Sequence, residues 1–175
     1  MSASGIEERT SRDGCGSAVV TADGTRRYLL TRRWANGPLM AWVMLNPSTA
    51  DETADDATIA RCKKRAQQLQ LAGIAVVNLF SLRATDPREL AGHPDPVGPA
   101  NDTFIGATCR AAGLVVVAWG AHGSHLSRDA EVVALLARAG IEPLCLGATA
   151  AGQPRHPGRL AYGVVLRPYA VGEVQ

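Results

Sequence analysis

Apolar residues along this chain gather into short continuous runs, which polar or glycine-rich stretches separate. Runs of four to seven apolar residues are typical of strands that are covered on both faces of a sheet. The pattern predicts four such strands and one shorter edge strand, over residues 39–45, 74–80, 114–119, 143–146 and 164–167. Asn46-Pro47 ends the first run, because proline cannot continue a central strand.

Helical spacing of apolar residues appears between these strands. From Ala57 to about Leu71, apolar residues recur on one face and basic residues on the other, which predicts an amphipathic helix. Residues 100–112 and 127–139 carry similar patterns. Strand, loop and helix therefore alternate, and this order favours a mostly parallel sheet covered by helices.

The N-terminal part of the chain has a different pattern. Residues 1–16 are polar and rich in serine and glycine, and we expect them to form a flexible tail. Two strand-like runs then flank Asp23-Gly24, which is a strong signal for a β-hairpin. No linker, repeat or low-complexity block follows, so residues 17–170 are expected to form a single α/β domain.

Composition narrows the class of protein without naming a function. The 175 residues are 46% hydrophobic, which fits a globular domain, and their net charge of +2 neither supports nor excludes a nucleic-acid partner. No apolar run approaches the roughly 20 residues that cross a bilayer, and the N-terminus lacks the apolar centre of a signal peptide. We therefore expect a cytoplasmic protein without a membrane partner.

The four cysteines do not point to a metal centre. They are widely scattered and form no Cys-x-x-Cys pair, so a zinc ribbon or an iron–sulfur cluster is not expected. Cys62 and Cys145 lie in apolar patterns and are interpreted as small core residues. The sequence predicts neither a resident metal nor a cofactor.

Polar or glycine-rich elements follow four of the predicted strands. In open α/β sheets, ligands bind beyond the carboxyl ends of the strands, and parallel strands bring these ends to one edge. The sequence therefore predicts a polar site at this edge. Its candidate segments are Asn46-Pro-Ser-Thr, Asn78 with Ser81 and Arg83, Trp119-Gly-Ala-His122, and Gly152-Gln-Pro-Arg-His-Pro157.

Each candidate also has a structural interpretation, and the sequence leaves both open. Asn46 could shape the turn at the following proline, and Asn78 could satisfy neighbouring backbone groups instead of reading a nucleobase or an amide. Arg83 could bind an anion such as phosphate, or it could pair with Asp86 or Glu89. His156 could donate to a developing anion or lie in solvent.

Two charged clusters and one histidine pair remain ambiguous as well. Asp51, Asp55 and Asp56, together with Glu52, could hold a magnesium ion, although acidic residues also favour a helix N-terminus. The basic segment 61–65 could contact phosphates, although a solvated helix face is more common. His122 and His125 are more typical of a flexible surface turn.

Several of these motifs resemble a bacterial family known as domain of unknown function 1643. The resemblance spans most of residues 17 to 168 and implies a family without an established activity. The matching segments are Tyr28-Leu-Leu with Arg32 and Trp34, Met44 to Asp51, Asn78 to Pro87, Trp119-Gly, and Gly152 to Pro157.

The order of the motifs also resembles the uracil-DNA glycosylase superfamily. Leu45-Asn46-Pro47 is similar to the first motif of that superfamily, whose polar residue positions water. Asn78 is similar to the asparagine that reads the uracil edge, and His156-Pro157-Gly158 is similar to a late His-Pro-Ser motif, whose histidine stabilises the departing base. The chain departs from these motifs at Met44, where the superfamily has glycine, and at Gly158, where it has serine.

This resemblance implies a three-layer α/β/α fold and a hydrolase or binding protein that acts on a nucleobase-containing ligand, which could be part of DNA. The candidate catalytic residues are Asn46 and His156, and no residue is assigned to a metal. The candidate ligand-binding residues are Pro47, Ser48, Asn78, Phe80, Arg83, Trp119 and Gly120. Two alternatives stay open, a non-catalytic nucleotide- or nucleic-acid-binding module and a magnesium-dependent hydrolase using Asp51, Asp55 and Asp56.

Overall fold

A computed structural model describes residues 5–169, in which the apolar runs form one mixed sheet. The strands along the chain are β1 Ile6–Thr10, β2 Gly16–Thr21, β3 Arg27–Arg33, β4 Leu39–Met44, β5 Gly73–Asn78, β6 Leu114–Val117, β7 Leu144–Cys145 and β8 Arg167–Pro168. The α-helices are α1 Ala57–Gln68, α2 Arg88–Gly92, α3 Asn101–Ala111 and α4 Arg128–Arg138. Across the sheet the strand order is β1-β2-β3-β5-β4-β6-β7-β8.

The sheet is mixed, and the expectation that it is mostly parallel is wrong. Only the three pairings among β5, β4, β6 and β7 are parallel. The other four, β1 with β2, β2 with β3, β3 with β5, and β7 with β8, are antiparallel. Connectivity explains the first strands, because short turns between β1, β2 and β3 reverse the chain, whereas parallel neighbours need a longer crossover such as α1 between β4 and β5. The strands before residue 34 have no intervening helix.

Helices cover both faces of the parallel part of the sheet. Cys62 and Ala66 of α1 pack on one face, in a cluster with Trp42 and Val76. Ile105 of α3 belongs to the cluster on the opposite face, which also includes Val132 and Leu136 of α4. Each residue of β5 is buried, as expected for a strand covered on both sides.

The predicted hairpin is confirmed. β2 and β3 pair in antiparallel register around a turn in which Gly24 adopts a φ of +71°, a left-handed conformation that favours glycine. Residues 6–10 were expected to belong to a flexible tail, but they form β1 and pair with β2 from Ile6↔Thr21 to Thr10↔Ser17. This pairing satisfies backbone groups that a tail would leave to solvent.

The helix boundaries differ by a few residues from the sequence expectation. Helix α1 begins after Asp56, whose carboxylate accepts hydrogen bonds from the backbone N–H groups of Thr58 and Ile59. It ends at Gln68 rather than near residue 71, and Gln70 then adopts a left-handed φ of +57°. Among residues 5–169, none of the helices combines the length and the apolar character that crossing a membrane requires.

The strand order places a topological switch point at β4. The chain passes from β4 through α1 to β5 on one side, and later returns through α3 to β6 on the other side of β4. Loops that leave neighbouring strands in opposite directions open a crevice at the carboxyl ends of those strands, where ligands bind in open α/β sheets. The residues that follow β4, β5 and β6 meet at this crevice.

Candidate functional site

A cavity of about 300 Å³ opens at the switch point, between the carboxyl ends of β4, β5 and β6 and the start of α1. It lies on the face of the sheet that α1 covers, because Met44, Val76 and Ile59 form part of its wall. Six of the nine residues singled out from the sequence line it. They are Asn46, Ser48, Asn78, Trp119, Gly120 and His156.

Asn46 is held in place by two backbone carbonyls. Its Nδ2 donates to the carbonyl oxygen of Ala84 at 2.7 Å and to that of Pro47 at 3.0 Å. Both hydrogens of the amide nitrogen are thereby used, so Oδ1 is the atom that can accept a hydrogen bond from a water or a ligand. Asn46 therefore both shapes the turn and presents an oriented acceptor to the cavity.

Asn78 is the last residue of β5 and lies on the same sheet face as Val76. Its side chain is buried, with only 2% of the residue exposed, and its Oδ1 has no hydrogen-bond partner within residues 5–169. An unpartnered buried carbonyl destabilises a fold by roughly 1–3 kcal/mol. The carboxamide oxygen does not satisfy a neighbouring backbone group, so it is available to a ligand in the cavity.

The end of β5 is fixed from the opposite side of the sheet. The buried side chain of Asn101 donates through Nδ2 to the carbonyl oxygens of Asn78 and Leu79, both at 2.9 Å. Arg128 Nε donates to the Leu79 carbonyl at 2.9 Å, and its guanidinium also pairs with Glu131. These contacts hold the backbone that carries Asn78 where the chain leaves the sheet.

His156 lies at the rim of the cavity, at the start of a 3-10 turn over Pro157–Arg159. Its Nδ1 accepts a hydrogen bond from the backbone N–H of Gly158 at 3.1 Å, so the ring proton resides on Nε2. Partial burial lowers the pKa of His156 below its ordinary value of 6.5, although the negative charge of Asp56 opposes the shift. At pH 7 the ring is therefore a neutral N–H donor.

Trp119 and Gly120 form the wall next to His156. Trp119 Nε1 donates to Gln153 Oε1 at 2.6 Å, and Gln153 in turn donates to Asp129. The backbone N–H of Gly120 donates to the Pro154 carbonyl at 2.8 Å, and its φ of +75° lies in the region that glycine adopts most readily. The loop after β6 and the loop that carries His156 are thus tied together.

Arg27 lines the cavity, although no sequence pattern singled it out. It is the first residue of β3 and is only 3% exposed. Its Nη1 donates to the carbonyl oxygen of Ala50 at 2.8 Å, while its Nε has no partner within residues 5–169. Burial, and then repulsion from Arg83, lower the pKa of Arg27 to about 9, so it remains a cation at neutral pH.

Three of the predicted ligand-binding residues do not line the cavity. Phe80 is fully buried in the hydrophobic cluster on the opposite face of the sheet, and the centre of its ring lies 5.6 Å from that of His125. Pro47 contributes only its carbonyl, which accepts from Asn46 and from the N–H of Ala84. Arg83 Nη2 reaches the Ala50 carbonyl at 3.4 Å, the same oxygen that accepts from Arg27.

The alternative in which Arg83 pairs with a neighbouring acid does not match the observed contacts. The carboxylate of Asp86 accepts hydrogen bonds from Arg88, and Glu89 Oε1 accepts from the backbone N–H of Asp86. Arg83 therefore has no carboxylate within ion-pair distance among residues 5–169. Its positive charge adds to that of Arg27.

The acidic cluster is used for structure. Asp51 Oδ1 accepts from the backbone N–H groups of the following turn, Asp56 caps α1, and Asp55 pairs with Arg32 and Lys63. In the described part of the chain, no group of three or more His, Cys, Asp or Glu side chains is placed to hold a metal ion. Nothing in this geometry favours the magnesium-dependent alternative.

The basic face of α1 binds the protein itself. Arg65 is buried and donates to the carbonyl oxygens of Ala161 and Val164, at 2.7 and 3.2 Å. Arg61 donates to the Leu160 carbonyl at 3.0 Å, and both guanidinium groups lie over the ring of Tyr162. These two arginines neither lie free in solvent nor present their donors to a phosphate backbone, because they hold the segment that follows the His156 turn.

A second groove of about 500 Å³ adjoins the cavity and shares Pro87, Ala121 and His122 with it. His122, which the sequence analysis interpreted as part of a surface turn, therefore lies at the junction of the two depressions. Its neighbours Leu126 and Ser127 adopt left-handed φ values of +54° and +56°, which non-glycine residues rarely do. The groove provides room for a ligand larger than the cavity alone.

Comparison with known proteins identifies a family. A family model described as "protein of unknown function (DUF1643)" matches residues 27–158, which is more than half of the chain. The search of curated proteins found no match, and neither did the search of solved structures. The matched span includes every residue of the cavity named above, from Arg27 to His156.

Proposed function

The chain belongs to the DUF1643 family of proteins of unknown function, and we propose that it binds a nucleobase-containing ligand in the switch-point cavity and hydrolyses its N-glycosidic bond. The finer relationship to the uracil-DNA glycosylase superfamily, including its three-layer fold, is part of this proposal. It rests on the order of the motifs at Asn46, Asn78 and His156, together with the position of the cavity.

One observation carries the proposal. Asn46, Asn78 and His156 are far apart in the chain, yet their side chains line a single cavity of about 300 Å³. The three residues carry different hydrogen-bonding groups. Asn46 has an oriented acceptor, Asn78 a buried carboxamide with an unpartnered oxygen, and His156 a neutral N–H donor. Buried polar atoms without partners also occur at Trp42 and Asn101, so the support for the proposal is the position of all three residues at one concave volume.

In the proposed reaction, Asn46 Oδ1 accepts a hydrogen bond from a water molecule and holds it against the sugar. The carboxamide of Asn78 recognises the edge of the base, with Oδ1 accepting from a ring N–H. The water oxygen bonds to the anomeric carbon while the carbon–nitrogen bond breaks, and the base departs with the electron pair. His156 Nε2–H donates to the developing anion, and the proton of the water passes to solvent.

DNA is one candidate source of the base. An enzyme that acts on a base in duplex DNA must extrude the nucleotide, because its target atom is inaccessible in the stack. The groove that adjoins the cavity at His122 has space for the nucleotides that flank the extruded base.

A glycosylase assay tests the proposal. Oligonucleotides carrying uracil, hydroxymethyluracil or deaminated purines are incubated with the full chain, and strand scission after alkali reports base release. We expect scission with the wild-type protein and its loss in Asn46→Ala. Asn36→Ala is the matched control, because Asn36 is exposed in the loop between β3 and β4 and does not line the cavity. Equal scission by both variants would contradict the role of Asn46.

One observation favours a non-catalytic binding module as the second candidate. Asp56 is the only carboxylate that lines the cavity within residues 5–169, and its Oδ1 is bound to two N–H groups of α1. The one carboxylate of the described cavity wall thus serves as a helix cap, which weakens the case for a carboxylate that activates water and favours binding without cleavage. Saturable binding of uracil-containing oligonucleotide with no base released from any substrate would favour the module.

A further inference from the structure

Arg27 is a buried cation without a counter-ion. It is 3% exposed, and no carboxylate of residues 5–169 lies within ion-pair distance of it. Its guanidinium makes one side-chain hydrogen bond, from Nη1 to the Ala50 carbonyl, although the group has five N–H donors. Buried arginine is normally paired with a carboxylate or satisfied by several acceptors. Arg65, by comparison, has three backbone carbonyls as acceptors through Nη1 and Nη2, although its Nε is also unpartnered within residues 5–169.

The surroundings of Arg27 increase the positive charge at this end of the cavity. Arg83 Nη2 shares the Ala50 carbonyl with Arg27, so two guanidinium groups converge on one neutral oxygen. The nearest acids do not neutralise them by contact, because Asp51 and Asp56 both accept backbone N–H groups of their own turns. Their negative charges act on Arg27 only at a distance.

We propose that the cavity binds its ligand through an anionic oxygen, which Arg27 holds directly and Arg83 supports from behind. The anion is either a phosphate group of a nucleotide or a base that carries negative charge. Arg27 and Asn78 both line the cavity, and Arg27 Nε and Asn78 Oδ1 are both without a partner within residues 5–169. The ligand therefore offers both an anionic oxygen and an N–H donor.

This inference rests on the proposed function for the location of the ligand, but it does not depend on catalysis. It also explains why the guanidinium of Arg27, which only donates hydrogen bonds, belongs to the same cavity as the carboxamide of Asn78. Arg27 can only donate hydrogen bonds and Asn78 Oδ1 can only accept them, so a ligand satisfies both atoms only when it carries the complementary pair of groups. Water alone would solvate Arg27 without compensating its charge.

Calorimetric titration of the full chain tests the inference, with ionic strength held constant by sodium chloride. The probes are inorganic phosphate, deoxyuridine monophosphate, deoxyuridine, uracil, and barbiturate, a pyrimidine that is an anion at neutral pH. We expect saturable binding of at least one anionic probe. Preference for the monophosphate over deoxyuridine identifies a phosphate site, whereas preference for barbiturate over uracil identifies a site for an anionic base.

Variants separate a direct contact from a general effect of charge. Arg27→Met should weaken binding of the anionic probe about tenfold or more, as expected for loss of a charge-assisted hydrogen bond. Arg27→Lys, which keeps the charge, should retain more of the affinity, and Arg83→Gln should cause a smaller loss. Arg138→Gln is the control, since Arg138 is exposed on α4 and lies outside the cavity; its affinity should match the wild type.

The possible failures are distinguishable. Arg83→Gln and the wild-type titration test the inference even when Arg27→Met does not fold. Absence of saturable binding of phosphate, deoxyuridine monophosphate and barbiturate to the wild-type protein would overturn the inference. Binding of uracil or deoxyuridine that Arg27→Lys and Arg83→Gln leave unchanged would also overturn it, while leaving the proposed function in place. Binding of phosphate without recognition of any base would refute the proposed function alone.

Discussion

Asn78 and Asn101 are two buried asparagines with opposite consequences for stability. Their side chains are 2% and 0% exposed, and both belong to the region where β5 leaves the sheet. Each has an Oδ1 without a partner within residues 5–169, but only Asn101 also donates through Nδ2 to two backbone carbonyls. Replacing each by leucine, which has the same branching, therefore removes an unpartnered oxygen in both cases, and in Asn101→Leu it also removes two hydrogen bonds.

The magnitudes follow from these contacts. Asn101→Leu removes two hydrogen bonds, each contributing about 1 kcal/mol, and leaves two backbone carbonyls short of a donor, while loss of its own unpartnered Oδ1 offsets part of this, so we expect a net loss of about 1–2 kcal/mol. Asn78→Leu removes a group whose burial costs roughly 1–3 kcal/mol, and leucine can extend into the cavity. We expect its free energy of unfolding to be unchanged or to rise by up to about 1 kcal/mol.

Urea denaturation measures both changes, and thermal unfolding checks them. A change of 1 kcal/mol shifts the Tm of a domain of this size by about 2–4 °C, so Asn101→Leu should lower the Tm by about 2–8 °C. Asn78→Leu should lose ligand binding without losing stability, as expected at a site where function opposes stability. A loss of more than about 1 kcal/mol in Asn78→Leu would show that Asn78 is a structural residue, and the reasoning would be refuted.

Three further predictions concern the cavity wall, its rim and the ion pairs near α1. A Cβ atom added at Gly123 would lie 2.0 Å from the Trp119 ring, so Gly123→Ala should destabilise the fold by about 1–3 kcal/mol in urea denaturation. Gly92→Ala is the control, because nothing lies within 4 Å of the Cβ position there, and it should not destabilise the fold. The pKa of His156 is lower in the folded chain than its ordinary 6.5, so below about pH 6.5 the unfolded state binds more protons than the folded state. The free energy of unfolding of the wild type should therefore fall relative to that of His156→Gln between pH 7 and 5. Equal dependence of the two free energies on pH would contradict this. Burial raises the pKa of Asp55, but hydrogen bonds from Arg32 and Lys63 outweigh this effect and lower the pKa below 3.8. Asp55→Asn should therefore lower the free energy of unfolding by about 1–2 kcal/mol at pH 7. The difference from the wild type should disappear as the pH falls below 3.8.

The convergence of the strand ends could be predicted because it depends on local signals. Asn46 precedes a proline, Asn78 interrupts an apolar run, and parallel strands bring such positions to one edge. The predicted end of β5 near Phe80 was less accurate. The N–H groups of Leu79 and Phe80 still bond to the carbonyls of Met44 and Leu45 after the regular strand has ended, so the apolar pattern continues beyond it.

Strand direction and buried charge could not be predicted from these patterns. An apolar run does not specify its partner, and β3 pairs in antiparallel register with β5, although β4 is the next strand along the chain. Arginine in a sequence is usually interpreted as exposed, yet Arg27 and Arg65 are buried. The carbonyls that accept from Arg65 are more than 90 residues away in the chain, and no local pattern encodes such a contact.

The contacts of Arg65 also show that the region shared with the family is smaller than the unit that folds. The family match ends at residue 158, but the carbonyls that accept from Arg65 belong to Ala161, Tyr162 and Val164. The match also begins at residue 27, which excludes β1 and β2. A fragment trimmed to the matched residues would leave the guanidinium of Arg65 without its acceptors and would expose the edge of β3. An exposed sheet edge of this kind promotes aggregation. Recombinant work on relatives should therefore set its boundaries by the sheet and not by the alignment.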